Sequence, residues 1–200
     1  MIGKTLVVGL GSAHGDDQIG WCVAGSLAAS IAGSTSGPLS TACDSLTLSD
    51  DAIAFGADTP AWIRVARSPS ELLDWLDALD RLIVCDACQD IGAPGNSLRL
   101  CWPDRRLATL RCSGSHDMGL VDMLALAERL GRLPKAVIIW CVQAEATVPG
   151  SSLSASGRMA MRGVAEQIWE ELGLRFGGPN RGADDSTAKS SWSNSCTSIR

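Results

Sequence analysis

The segment Arg81-Leu-Ile-Val-Cys-Asp86 is apolar almost without interruption over the length of one strand. A strand with one face in water alternates polar and apolar residues, whereas an unbroken run must be covered on both faces, as in a parallel sheet flanked by helices. Four further segments read as strands: Thr5-Leu-Val-Val-Gly9, Trp62-Ile-Arg-Val65, the alternating stretch 97–102, and Lys135-Ala-Val-Ile-Ile-Trp-Cys-Val142. Between and after them lie helical patterns over residues 19–31, 70–76, 117–130 and 154–172, with Ser68 or Ser70 and Ser154 or Ser156 placed to cap two of them. Parallel neighbours need a crossover of a dozen or more residues. The expected architecture is therefore a three-layer α/β sandwich, a mostly parallel five-stranded sheet with helices on both faces.

Two stretches break this rhythm. Residues 33–60 are rich in Ser, Thr, Gly and Asp and too long for an ordinary connection, so they read as an insertion or loop. Residues 177–200 are rich in Ser, Gly, Asn and Asp and read as a disordered tail, leaving one domain over residues 1–176. Hydrophobic residues make up 46% of the chain and charged ones 20%, enough apolar surface for a packed core. The net charge of −5 and the lack of a Lys/Arg run argue against a nucleic-acid or anionic-membrane surface. No stretch approaches the roughly 20 apolar residues of a spanning helix, and a cytoplasmic protein is expected. The 8 Cys are scattered, several of them (Cys22, Cys85, Cys141) inside apolar runs, which points to reduced, buried thiols.

In open parallel sheets the site lies at the carboxyl ends of the strands. There the sequence puts carboxylates and imidazole. The loop Gly9-Leu-Gly-Ser-Ala-His-Gly-Asp-Asp-Gln-Ile-Gly20 carries Asp16 and Asp17, the third strand ends in Asp86, and His116 precedes the helix expected at 117–130. Singly, each has an ordinary reading: the Asp pair as a helix cap with its first-turn companion, Asp86 as a turn cap, His116 as a surface residue. Converging on one edge, they form a mixed oxygen and nitrogen donor set of the kind that suits Zn, Ni, Fe or Mn. Competing motifs fit less well. Gly9-Leu-Gly11 has its next glycine at Gly15, one position late for a dinucleotide fingerprint. Cys85-Asp-Ala-Cys88 lacks a second pair at zinc-ribbon spacing and starts inside a strand, and the adjacent Ser115, His116 and Asp117 cannot adopt triad geometry.

These motifs resemble those of the hydrogenase maturation proteases, endopeptidases that trim the C-terminus of the nickel-iron hydrogenase large subunit after nickel insertion. The resemblance rests on Gly9-Leu-Gly11 through Asp16-Asp17 to Gly20, Val84-Cys-Asp-Ala87 with Gly92-Ala-Pro-Gly95, Ser115-His116-Asp-Met-Gly119-Leu120, and Leu130 to Pro134 followed by a strand, Glu145 and Leu153-Ser154. It spans residues 6–172 apart from the insertion. It implies an aspartyl-type endopeptidase whose metal-binding and catalytic trio falls on Asp17, Asp86 and His116, the same residues that the strand ends bring together. It also implies nickel carried by the substrate, zinc or cadmium as substitutes in the isolated protein, a large-subunit precursor as partner, and a monomer. Other readings are a non-catalytic assembly chaperone of the same fold and a thiol oxidoreductase using Cys85 and Cys88.

The chain departs from the family pattern in three places. The first ligand position, often Glu, is Asp17, one methylene shorter, which keeps Asp16 as an alternative ligand. Ser12 stands where Asn is usual. Val65-Ala-Arg-Ser-Pro69 occupies the place of an Asp-Gly-Gly-Thr loop. Because residues 177–200 offer too little apolar surface to offset the entropy of ordering them, a chain ending at Phe176 is expected to keep its melting temperature. Thermal unfolding of the truncated protein checks this; loss of the folded state would make the tail a packed element.

Overall fold

The structure, a computed structural model, describes residues 4–31, 53–54, 61–112 and 119–173. The expected insertion, apart from Ile53–Ala54, and the expected tail lie outside these residues. The chain runs β1 (Thr5–Leu10), a 3-10 turn η1 (Gly15–Gln18), α1 (Ile19–Ile31), β2 (Ile53–Ala54), β3 (Ala61–Ala66), η2 (Pro69–Trp75), β4 (Arg81–Gln89) and β5 (Ser97–Cys101). It continues through η3 (Arg105–Ala108), β6 (Arg111–Cys112), α2 (Leu120–Arg129), β7 (Ala136–Gln143) and α3 (Ala155–Glu171). All five strands read from the sequence are present as β1, β3, β4, β5 and β7. β2 and β6 are two-residue additions.

The sheet order is β2-β3-β1-β4-β7-β5, with β6 paired to β4. The four central strands β3, β1, β4 and β7 are mutually parallel, while β2, β5 and β6 pair antiparallel. Alternation along each strand splits the core in two. Val7, Ile83, Cys85, Ile138, Trp140 and Val142 face α1 and α3. Leu6, Val8, Leu82, Val84, Val137 and Ile139 face η2, η3 and α2. The central strands are thus buried on both sides, as the unbroken apolar run requires, and the three layers follow.

The local signals explain most element ends. Ser154 caps α3, its side chain accepting from Gly157 N. Ser68 caps η2 in a complete capping box, with Glu71 Oε1 accepting from Ser68 N. The helix read over 70–76 forms as 3-10: seven residues entered through Pro69 are too few to offset α-helix nucleation, and the short turn lies against the sheet instead. Gly131, in left-handed conformation at φ 66°, closes α2.

Two glycines set how closely α1 approaches the sheet. A Cβ on Gly20 would lie 2.1 Å from Leu10 O and 2.4 Å from Cys85 O, and one on Gly9 would lie 2.0 Å from Gly20 O. The first turn of α1 therefore rests directly on the backbone of β1 and β4. Every atom such a Cβ would meet at these distances belongs to the backbone, so no side chain can rotate aside. Gly20→Ala is expected to lower the unfolding free energy by about 3 kcal/mol, as overpacking at a rigid contact does. Urea denaturation measures it; an unchanged midpoint would mean that α1 can lift off the sheet at little cost.

Candidate functional site

The helices that follow β1 and β4 lie on opposite faces, α1 in one core and α2 in the other. These strands are hydrogen-bonded parallel neighbours, with Gly9 opposite Cys85. Adjacent parallel strands whose connections leave to opposite faces open a crevice at their carboxyl ends, where α/β sheets bind ligands. Asp17 sits in η1 just beyond β1, and Asp86 lies in β4 one residue past the β1 pairing. The turn η1 packs against both α1 and β4. The fold therefore brings these two predicted residues to one edge.

Their surroundings differ from those of Asp16. Asp16 is 0% exposed, and both oxygens of its carboxylate are hydrogen-bonded: Oδ1 accepts from Ser154 N at 2.8 Å, while Oδ2 accepts from Glu145 N at 2.7 Å and Ser154 Oγ at 2.9 Å. Asp17 is 7% exposed, and its Oδ1 is buried with no hydrogen-bond partner among the described residues. Its backbone is fixed, with Asp17 N donating to His14 O and Asp17 O accepting from Ser12 N. A buried carboxylate oxygen left without a donor is costly, and a cation is one ligand that would offset the cost. The orphaned atom is the kind of donor a metal would engage, and it belongs to Asp17, whereas both oxygens of Asp16 already accept from the protein.

Asp86 is 0% exposed, and alternation along β4 sets it on the same face as Val84 and Cys88, the face that α2 covers. β6, which pairs with Cys88 and Gln89, precedes the segment leading into α2. His116 falls in that segment, outside the described residues. Among the described residues no group of three or more His, Cys, Asp or Glu is assembled that could hold a metal ion. His14, the other imidazole, is exposed at the start of η1 and makes no side-chain capping bond.

The long-range partners of Asp16 were not readable from sequence spacing. Ser154 was visible as a helix cap, but nothing local said that its hydroxyl also serves a carboxylate 138 positions earlier. The end of β3, where Val65-Ala-Arg-Ser-Pro69 stands in place of an Asp-Gly-Gly-Thr loop, is closed through the backbone. Ala66 O accepts from Gly11 N at 3.2 Å and from Trp21 Nε1 at 2.9 Å, and the chain enters the capped turn η2 at once.

Cys85, Cys88 and Cys141 differ from Cys22 and Cys101. Cys85 and Cys141 are buried and in no disulfide, as expected, and so is Cys88. The expectation is corrected at Cys22, which is disulfide-bonded, as is Cys101; the apolar run signals the burial of Cys22, and burial alone does not decide redox state. Cys85 and Cys88 stand three residues apart on one strand, about 10 Å between Cα atoms, and face opposite cores. That exceeds the reach of a disulfide, so this C-x-x-C cannot close. Burial pushes the Cys85 thiol well above its usual range, with the Asp86 carboxylate and Cys141 adding to the rise.

Comparison with known proteins follows the same lines. A family model described as hydrogenase maturation protease matches residues 67–171, more than half of the chain. The hydrogenase maturating endopeptidase HybD from E. coli is similar in fold, with TM-score 0.60 and 21% identity over 84% of this chain and 91% of that one. The HybD protease of Thermococcus kodakarensis aligns with TM-score 0.55 and 20% identity over 84% and 98%. The HycI protease from the same organism gives 0.56 and 17% over 85% and 92%. No curated protein sequence matches the chain significantly. Among the described residues no helix is long and apolar enough to cross a membrane.

The buried thiol makes stability depend on alkaline pH. The folded state holds the Cys85 proton to a higher pH than the unfolded chain, whose thiols titrate near about 8.5. Its contribution is therefore complete below that range and is lost as pH climbs toward the folded value, at up to ~1.4 kcal/mol per unit. Cys85→Ala is expected to flatten this alkaline slope in chemical denaturation between pH 8 and 10. An equal slope in both proteins would assign the dependence to other groups.

Proposed function

We propose, for a chain that belongs to the hydrogenase maturation protease family, that it is the endopeptidase which removes the C-terminal extension of a nickel-iron hydrogenase large-subunit precursor once nickel is seated there. The observation that carries this reading is the buried, unpartnered Oδ1 of Asp17 at the β1–β4 crevice that also holds Asp86. Asp17, Asp86 and His116 are the donors that meet the nickel of the substrate. Two carboxylates and an imidazole suit nickel, and zinc or cadmium would take the same set in the isolated protein. Holding the nickel fixes the neighbouring peptide bond at the sheet edge. A water polarised by metal or carboxylate adds to the carbonyl carbon, the C–N bond breaks, and the leaving nitrogen takes the proton. The products are a new carboxyl terminus and the free extension.

Nickel-loaded and nickel-free precursors, each incubated with the protein and followed by size, test the reading. Only the loaded form is expected to shorten. Equal cleavage of both removes nickel recognition, and binding without cleavage favours an assembly chaperone. His116→Ala, Asp17→Asn and Asp86→Asn are each expected to cut processing by at least about 100-fold. Asp17→Asn should leave the melting temperature unchanged or raised, because the buried Oδ1 has no hydrogen-bond donor to lose. His14→Ala, at an exposed position, keeps most activity. A dead His14→Ala beside an active His116→Ala would mean that the trio contains the wrong imidazole.

A further inference from the structure

We infer that Asp16 is a positioning residue, a clamp that locks the turn carrying Asp17 onto the N-terminus of α3, so that Ser154 and Gly157 set the geometry of a site they do not enter. The inference rests on the proposed role of Asp17 as a ligand and extends it to residues that meet no substrate. Asp16 binds three donors drawn from two places, the start of the connection after β7 at Glu145 and the cap of α3 at Ser154. The same turn is stitched again through its backbone, Asp16 N donating to Ala146 O and Gly15 N to Ser151 O. Asp17 is the next residue, so any shift of the clamp moves the ligand.

The arrangement admits little substitution. Ser154 Oγ uses its one proton on Asp16 Oδ2 while accepting from Gly157 N. Ser156 Oγ, 2.9 Å from Ser154 Oγ, gives its proton to Glu145 Oε2 at 2.6 Å. Each hydroxyl is thus committed to its own carboxylate. Gly157 lies directly against the clamp, where an added Cβ would sit 2.8 Å from Asp16 Oδ1. An alanine there pushes the carboxylate without removing any polar group.

The test compares Ser154→Ala, Ser154→Thr and Gly157→Ala with Ile139→Val, a core change on the α2 face that lowers stability without touching the clamp. Assays with nickel-loaded precursor are run well below every melting temperature. Ser154→Ala and Gly157→Ala are expected to lose about tenfold in kcat with KM changed less than about twofold, because misplaced groups cost turnover more than binding. Ser154→Thr, which restores the hydroxyl, regains the rate, and Ile139→Val keeps it. A kcat in Ser154→Ala equal to that of Ile139→Val overturns the proposal. Amide hydrogen exchange gives a second readout that needs no proteolysis: the Asp16 and Asp17 amides exchange at least about tenfold faster in Ser154→Ala than in Ile139→Val. Faster exchange there upholds the clamp even where the wild type leaves the precursor uncut, a result that sinks only the proteolytic reading. Unchanged exchange overturns the clamp whatever the processing assay gives.

Discussion

Asp16 brings a carboxylate into a position with no solvent, where an uncompensated charge costs several kcal/mol, and three donors compensate it. Those donors come from a segment more than 120 residues away in sequence. The carboxylate therefore works as a knot: it can be buried only when β1, the β7 connection and the α3 cap have all reached their places. Its neighbour to the N-terminal side, Gly15, is held against the same connection, since a Cβ there would meet Ala146 O at 2.5 Å. The carboxyl edge of the sheet is thus rigid on the side where Asp17 emerges.

Periodicity carried the architecture because periodicity reflects burial, and burial is what layers a fold. The unbroken run at 81–86 meant two covered faces, and β4 has them, with Ile83 and Cys85 in one core and Leu82 and Val84 in the other. Element ends followed where a side chain caps its own turn, as at Ser68 and Ser154. What local patterns could not carry was pairing between distant segments. β2 and β6, two residues each, have no period to read and exist only because β3 and β4 offer them an edge. The alternative left open between Asp16 and Asp17 is of this kind as well. The two residues are identical and adjacent, and only the donors folded against one of them make their surroundings differ.

The C-x-x-C teaches the same lesson from the other side. On a helix N-terminus that spacing brings two sulfurs together, but on a strand it sends them to opposite faces. The apolar context of Cys85 already argued for a strand, and β4 separates Cys85 from Cys88 by the thickness of the sheet. Burial raises the Cys85 thiol well above its usual range, and the Asp86 carboxylate, next in line, raises it further.

For the ligand role proposed for Asp17, a side chain one methylene shorter than Glu has to be weighed with how its turn is held. A flexible turn would need a long side chain to search for its partner; a turn fixed at both ends does not. Asp17 N and Asp17 O are both hydrogen-bonded within the turn, and Gly11 lets the backbone close on it, since a Cβ there would lie 2.0 Å from Asp17 O. The turn is carried toward the sheet by Gly9 and Gly20, which let α1 sit on the backbone of β1 and β4. The changed loop after β3 lies on the other flank of β1, where Trp21 and Gly11 converge on Ala66 O, so that departure reshapes the β3 side of the edge and leaves the β1–β4 crevice as the fold builds it.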